Sequence, residues 1–128
     1  MLTDSAIISF LATTDPPRSR RFYEDTLGLR FVTDEPFALV FDAGGTMLRV
    51  AKVQTLSPAP FTVLGWQVAD IRSTVLGLTR RSVTFERYAG MQQDELGIWT
   101  SPGGALVAWF KDPEGNLLSI TQFPPKRD

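Results

Sequence analysis

The side chains that most often carry catalysis are missing from this chain, which has neither histidine nor cysteine. Imidazole acid/base work, Ser-His-Asp triads, thiolate nucleophiles, Cys/His zinc sites and disulfides are excluded together. What remains for chemistry is carboxylate, Lys, Tyr, Ser and Thr, or an oxygen shell for a hard cation. The carboxylates form no pair with a fixed mutual geometry. Neither Gly44-Gly45 nor Gly103-Gly104 belongs to a GxxxxGK[ST] phosphate loop, so both read as turns. A reaction would have to use groups such as Arg49 to hold a substrate and Tyr88 or Glu86 to move protons. No residue is singled out as catalytic.

The rest of the composition is ordinary. At 128 residues, 43% hydrophobic and 21% charged, the chain is one domain's worth of soluble globular protein. A formal charge of −1 gives no overall electrostatic reason to seek nucleic acid or an anionic membrane. The start, MLTDSAIISFLATTD, lacks a basic region and a long apolar run, so a cytoplasmic location is the expectation.

Any chemistry must be positioned by short strands and two helices. Ala6 to Thr13 suits a strand, and Asp15-Pro16-Pro17 stops it and can open a helix. Ser19, Phe22, Tyr23 and Thr26 then fall at i, i+3, i+4 and i+7, with Gly28 as the helix stop. Three β-type segments follow, LRFVTDEP, FALVFDA and TMLRVAKV. Gly44-Gly45 as a two-residue hairpin loop puts Ala43 opposite Thr46 and Val40 opposite Arg49. After the proline-bearing connector Gln54 to Pro60, the order repeats. FTVLGWQVA is a strand, and Asp70 caps a helix carrying Ile71, Thr74, Val75 and Leu78 on one face. VTFERY, GIWTSPGG with ALVAWF, and LLSITQF are strands. The polar loop AGMQQDEL and the turn KDPEGN interrupt them. One element order met twice indicates a duplicated β-α-β-β-β module. We expect a single domain over 1–128, with modules at 5–53 and 61–123 and a linker at 54–60.

Three segments make this pattern specific. RRFYEDTLGLRF is similar to the FYxxxLGF signature of the vicinal-oxygen-chelate (glyoxalase, bleomycin-resistance and extradiol dioxygenase) superfamily. LGWQVADI is similar to its FxVxDl, and DPEGNLLSI to its DPxGNxxEl. Together they cover nearly the whole chain. The resemblance implies an α+β fold of two tandem βαβββ modules, whose curled mixed sheets enclose a central cavity. It also implies metal ligands on the first and last strand of each module. Those four positions map here to Ile8, Arg49, Val63 and Ser119, two aliphatic side chains, a permanent cation and a neutral hydroxyl. Such a set cannot supply the nitrogen and carboxylate shell of Zn, Ni, Fe or Mn, so we expect no metal and no other cofactor. Metal-dependent glyoxalase or dioxygenase activity is not expected, because a fold does not supply chemistry.

Strand alternation assigns further residues to the same faces. Phe10 and Ala12 go with Ile8, Gly65 and Gln67 with Val63, and Met47 and Ala51 flank Arg49. If the DPEG turn pairs Asp112 with Asn116, Trp109 lies opposite Ser119. The expected ligand-binding set is therefore Ile8, Phe10, Met47, Arg49, Val63, Gln67, Trp109 and Ser119, apolar and aromatic with a few polar groups, as small-molecule pockets are. The same aromatics could instead fill a core. Arg49 needs a partner: an internal carboxylate such as Glu86, Asp94 or Glu95, solvent at the rim, or an anion on a ligand. Trp66 is read as core, and Trp99 either covers the mouth or anchors the polar loop. Three functions stay open: metal-free binding of a small aromatic or anionic molecule, a metal-independent isomerase or lyase, and a non-catalytic dimeric interaction module. A homodimer is expected; nucleic acid and membrane partners are not.

Overall fold

The structure, a computed structural model, describes residues 1–126. The chain divides into two compact units, the first Met1–Pro58 and the second from Ala59 onward.

In the first unit, β1 (Ile8–Thr13) leads into α1 (Pro16–Arg21), which continues as a π-helical turn, Phe22–Thr26. Then come β2 (Arg30–Asp34), β3 (Ala38–Ala43) and β4 (Thr46–Lys52). The helix starts where two prolines supply the right φ and need no N–H partner. There Asp15 accepts a hydrogen bond from the Arg18 N–H at 3.3 Å. Thr13 and Ser19, both buried, share a 2.7 Å hydroxyl hydrogen bond that ties the strand end to the helix. The sheet order is β1-β4-β3-β2. β1 runs parallel to β4, and the other pairs are antiparallel. As expected, Val40 faces Arg49 and Ala43 faces Thr46, with Gly44 and Gly45 at φ 61° and 94°, the left-handed conformation that a two-residue hairpin loop of this kind demands.

The helix-side face of this sheet is the core. Leu39, Phe41, Leu48 and Val50 are buried there with Phe22 and Tyr23. The Tyr23 ring lies 5.8 Å from that of Phe41, and Phe31 meets Phe41 edge-on at 5.6 Å. Each such side chain contributes on the order of 1.5–3 kcal/mol on burial, which fixes which face turns inward.

The second unit repeats the plan. β5 (Leu64–Gln67) is followed by α2 (Ile71–Arg80), then β6 (Trp99–Thr100), β7 (Leu106–Lys111) and β8 (Leu117–Gln122), ordered β5-β8-β7-β6. β5 is parallel to β8. Asp70 caps α2 by accepting from the Ser73 N–H at 3.2 Å, and Gln122 Oε1 accepts from the Ile71 N–H at 2.9 Å. Ile71, Val75, Val83, Phe110, Leu118 and Ile120 are buried. Trp66 stacks on Phe110 at 6.4 Å, in keeping with its reading as core.

One expected strand is shorter than the sequence suggests. Of VTFERY, only Phe85 makes a ladder contact, opposite Phe110, and the Glu86 N–H donates to the Trp109 carbonyl at 2.8 Å. The edge of β7 is instead covered in two pieces, this one and β6, which pairs Trp99 with Val107. The residues between them form a loop. Gly97 closes that loop at φ 85°, a left-handed conformation that favours glycine there.

Among the described residues no helix is long and apolar enough to cross a membrane.

The β7–β8 turn depends on one carboxylate. Asp112, buried, accepts from the Glu114 and Asn116 N–H groups and from the Asn116 side-chain amide at 2.9–3.0 Å. Asp112→Ala is expected to lower the unfolding free energy by about 2–4 kcal/mol, read from urea denaturation. A loss below about 0.5 kcal/mol, the scale of an ordinary surface change, would show that the turn holds without it.

Candidate functional site

Each sheet has a second face, away from its helix, and the residues singled out from the sequence lie on these far faces. In the first unit, the parallel register sets Ile8 beside Met47 and Phe10 beside Arg49. All four therefore share one face of adjacent strands. Ile8, Phe10 and Met47 remain 47%, 62% and 42% exposed, so they do not fill a core in this unit.

Arg49 is paired within its own sheet. Its Nη2 donates to Glu35 Oε1 at 2.5 Å, and its Nη1 lies 3.9 Å from the Met47 sulfur. The carboxylates expected from the sequence are engaged elsewhere: Glu86 with Lys111 at 3.5 Å, and Asp94 and Glu95 with Arg72 at 3.6 and 3.2 Å. Glu35 was missed because of a bulge. Between Phe31 and Thr33 the β2–β3 register slips, so the residues beyond it change face. Plain alternation from the core-facing Phe31 would turn Glu35 inward. The slip puts it on the side of Arg49.

In the second unit, Ser119 has Gly65 on one side and Trp109 on the other, and Gln67 faces Thr121. Asp112 does pair with Asn116, its N–H donating to the Asn116 carbonyl at 3.1 Å, and Trp109 is opposite Ser119 as expected. Val63 precedes β5, bonding through its N–H to the Leu117 carbonyl. Ser119 is buried. A Cβ on Gly65 would come 2.9 Å from its Oγ, so glycine there lets the hydroxyl lie flat on the sheet.

The far face of this unit also carries an aromatic array. Tyr88 meets Trp109 edge-on at 5.7 Å and 83°, and Trp99 lies 6.0 Å from Trp109 at 39°. Two perpendicular rings make a corner against which a flat molecule can stack. The Tyr88 phenol has its pKa raised, first by burial and second by the negative charge of Glu86. Like any tyrosine below its ordinary value of 10.0, it is a neutral hydroxyl and hydrogen-bond donor in the physiological range, and the shift extends that range upward. A separate cavity of about 260 Å³ lies on the helix side, lined by Val75, Thr79, Val83 and Phe85 among others. It shares none of these far-face residues.

Among the described residues no cluster of three His, Cys, Asp or Glu side chains is placed to hold a metal ion.

Comparison with known proteins gives the fold a family. The family model described as the Glyoxalase/Bleomycin resistance protein/Dioxygenase superfamily matches residues 6–120. Among solved structures, a member of that superfamily from Sphaerobacter thermophilus is 22% identical with a TM-score of 0.74, over 95% of this chain and 99% of the other. A glyoxalase family protein from Enterococcus faecalis is 16% identical, TM-score 0.73, over 94% and 99%. Lactoylglutathione lyase from Agrobacterium tumefaciens is 20% identical, TM-score 0.71, over 92% and 93%. At these identities the likeness is one of fold. No curated protein matches the chain.

The Tyr88 environment is directly testable. A group whose pKa is raised on folding contributes stability that is complete below its ordinary value, here 10.0, and that is lost as pH rises through the folded value. Ultraviolet titration, with the Tyr88 step identified by its loss in Tyr88→Phe, is expected to give a midpoint above 10.0. Glu86→Gln is expected to bring that midpoint down without restoring the ordinary value, since burial is the larger cause. An ordinary midpoint in the unmodified protein, or none of this movement in Glu86→Gln, would refute the assignment.

Proposed function

The chain belongs to the glyoxalase/bleomycin resistance protein/dioxygenase superfamily, and on that premise we propose that it binds a small aromatic or anionic molecule without the help of a metal ion. The side chains at the four positions inferred for metal ligands, Ile8, Arg49, Val63 and Ser119, do not fit a transition ion. Two have no donor atom, one is a cation, and the last is a weak neutral ligand.

The aromatic half of the reading is carried by one observation, the corner of Tyr88 and Trp109 with Trp99 beside it. A flat ring stacked there would have the Ser119 and Tyr88 hydroxyls for polar contacts, the usual mixture of apolar and polar groups in a small-molecule site. The anionic half rests on Arg49, a cation among Ile8, Phe10 and Met47. Since Glu35 already neutralises it, an anion would have to take Glu35's place. Turnover is a weaker reading. A phenol with a raised pKa is a poor base near neutrality, and Glu86 is paired with Lys111.

Purified protein is expected to carry no stoichiometric transition metal by elemental analysis, and EDTA to leave its Tm unchanged. One bound equivalent would overturn the metal-free reading. In thermal-shift assays a ligand at a hundred times its Kd stabilises by about 2.7 kcal/mol. Coumarin is the neutral aromatic probe and benzoate the anionic one. Trp109→Ala is expected to remove the coumarin shift, and Arg49→Met the benzoate shift alone. If neither probe stabilises the unmodified protein, or neither variant matters, the reading fails.

We further propose a homodimer, supported by the large apolar side chains each unit leaves exposed, Ile7 and Phe37 in the first and Phe61 and Phe123 in the second. Sedimentation equilibrium is expected to return twice the chain mass. A monomer at micromolar concentration would end that proposal.

A further inference from the structure

The second unit's edge strand is cut in two, and one side chain joins the cut ends. Gln93 lies in the loop between the Phe85 bridge and β6, and its own backbone bridges to Trp99. Its amide Nε2 donates to the Glu86 carbonyl and to the Gly97 carbonyl, both at 2.9 Å. Its Oε1 accepts from the Tyr88 N–H at 2.8 Å. Both donors and the carbonyl oxygen are thus committed to backbone. The orientation of the amide is unambiguous, because two carbonyls require the nitrogen and one N–H requires the oxygen. The side chain does what a strand partner would do for Glu86, Tyr88 and Gly97, at the place where the ladder is interrupted.

The two ends that Gln93 joins carry Tyr88 and Trp99, the two rings that pack on Trp109. Other contacts hold the loop itself. Asp94 Oδ1 accepts from the Leu96 and Ile98 N–H groups at 2.9 Å, and Arg87 donates to the Asp94 and Glu95 carbonyls at 2.6 and 2.8 Å. Gln93 alone among these side chains bonds directly to the Tyr88 backbone.

We propose that Gln93 is the positioning residue of the aromatic array, setting Tyr88 and Trp99 against Trp109 and so determining which flat molecules the corner accepts. Its effect on ligand choice rests on the binding reading above, whereas its effect on ring geometry does not. No near relative of glutamine meets the same demands. Asparagine is one methylene short, glutamate lacks both donors and sets a charge against two carbonyls, and methionine bonds to none of the three groups.

Two closely placed indoles give a coupled band pair in far-ultraviolet circular dichroism, which Trp99→Phe and Trp109→Phe identify by its disappearance. Gln93→Met is expected to lose most of that signal and to bind coumarin roughly tenfold more weakly, as a wall that must be ordered on binding does. Ser101→Ala, which removes the hydroxyl accepting from the Ala105 N–H in the next turn, is the control. It is expected to change Tm but neither readout. Gln93→Glu is expected to resemble Gln93→Met near neutrality and to recover in part as pH falls toward the ordinary Glu value of about 4.3, where its carboxyl protonates and regains one donor. A full-strength signal in Gln93→Met, or equal loss in Ser101→Ala, would overturn the proposal. Loss of the signal with coumarin affinity unchanged would uphold Gln93 as the positioning residue and overturn the array as the ligand wall.

Discussion

Parallel pairing of the last strand with the first organises each unit. A chain that returns beside its own first strand in the same direction must cross over, and the helix is that crossover. Once β4 lies along β1 and β8 along β5, alternation leaves no freedom about which side chains share a face. Leu11 with Val50 and Trp66 with Ile120 go toward the helix; Phe10 with Arg49 and Gly65 with Ser119 go away from it. A slip of one residue in either pairing would exchange core and far face wholesale. The buried Leu48 and Val50 in one unit, and Leu118 and Ile120 in the other, resist such a slip because each would be carried into water.

Much of this was legible in the residues because the turns have chemistry of their own. Gly44-Gly45 admits the left-handed backbone that a two-residue hairpin needs, and so sets the β3–β4 register. Asp112 gathers the amides of its turn, and so sets the register of Trp109 against Ser119. Asp15 and Asp70 announce the helices by offering a carboxylate to N–H groups that have no partner in the first turn. In each case a local rule and the global fold agree.

Two things were not legible, and both involve a side chain or a bulge standing in for regular pairing. The slip at Phe31/Thr33 inverts the facing of the residues beyond it, and nothing in the residue types of LRFVTDEP marks where the extra residue sits. Glu35 as the partner of Arg49 was hidden by that parity change. In VTFERY the β-type composition is real, but the ladder it implies is replaced after Glu86 by the Gln93 amide. A glutamine in a polar loop reads as solvated until its three backbone partners are seen. The aromatic array depends on both ends of that loop, so only Trp109 of its three rings could be placed on the far face from the residues alone.

The two far faces end with different electrostatics, and this bears on which ligand chemistry each favours. On the first unit the lone cation is already matched by Glu35. An incoming anion gains only the difference between its own contact and the one it displaces, at a half-exposed position where such pairs are worth little. On the second unit the three rings carry no formal charge, the neighbouring Glu86 is matched by Lys111, and the hydroxyls are neutral, as a tyrosine is well below its ordinary pKa of 10.0 even before the upward shift at Tyr88. A flat neutral ring there displaces no internal ion pair, and its gain scales with the ring area it covers. If the chain binds as proposed, the balance therefore tips toward the aromatic surface over the cation as the favoured place for a ligand.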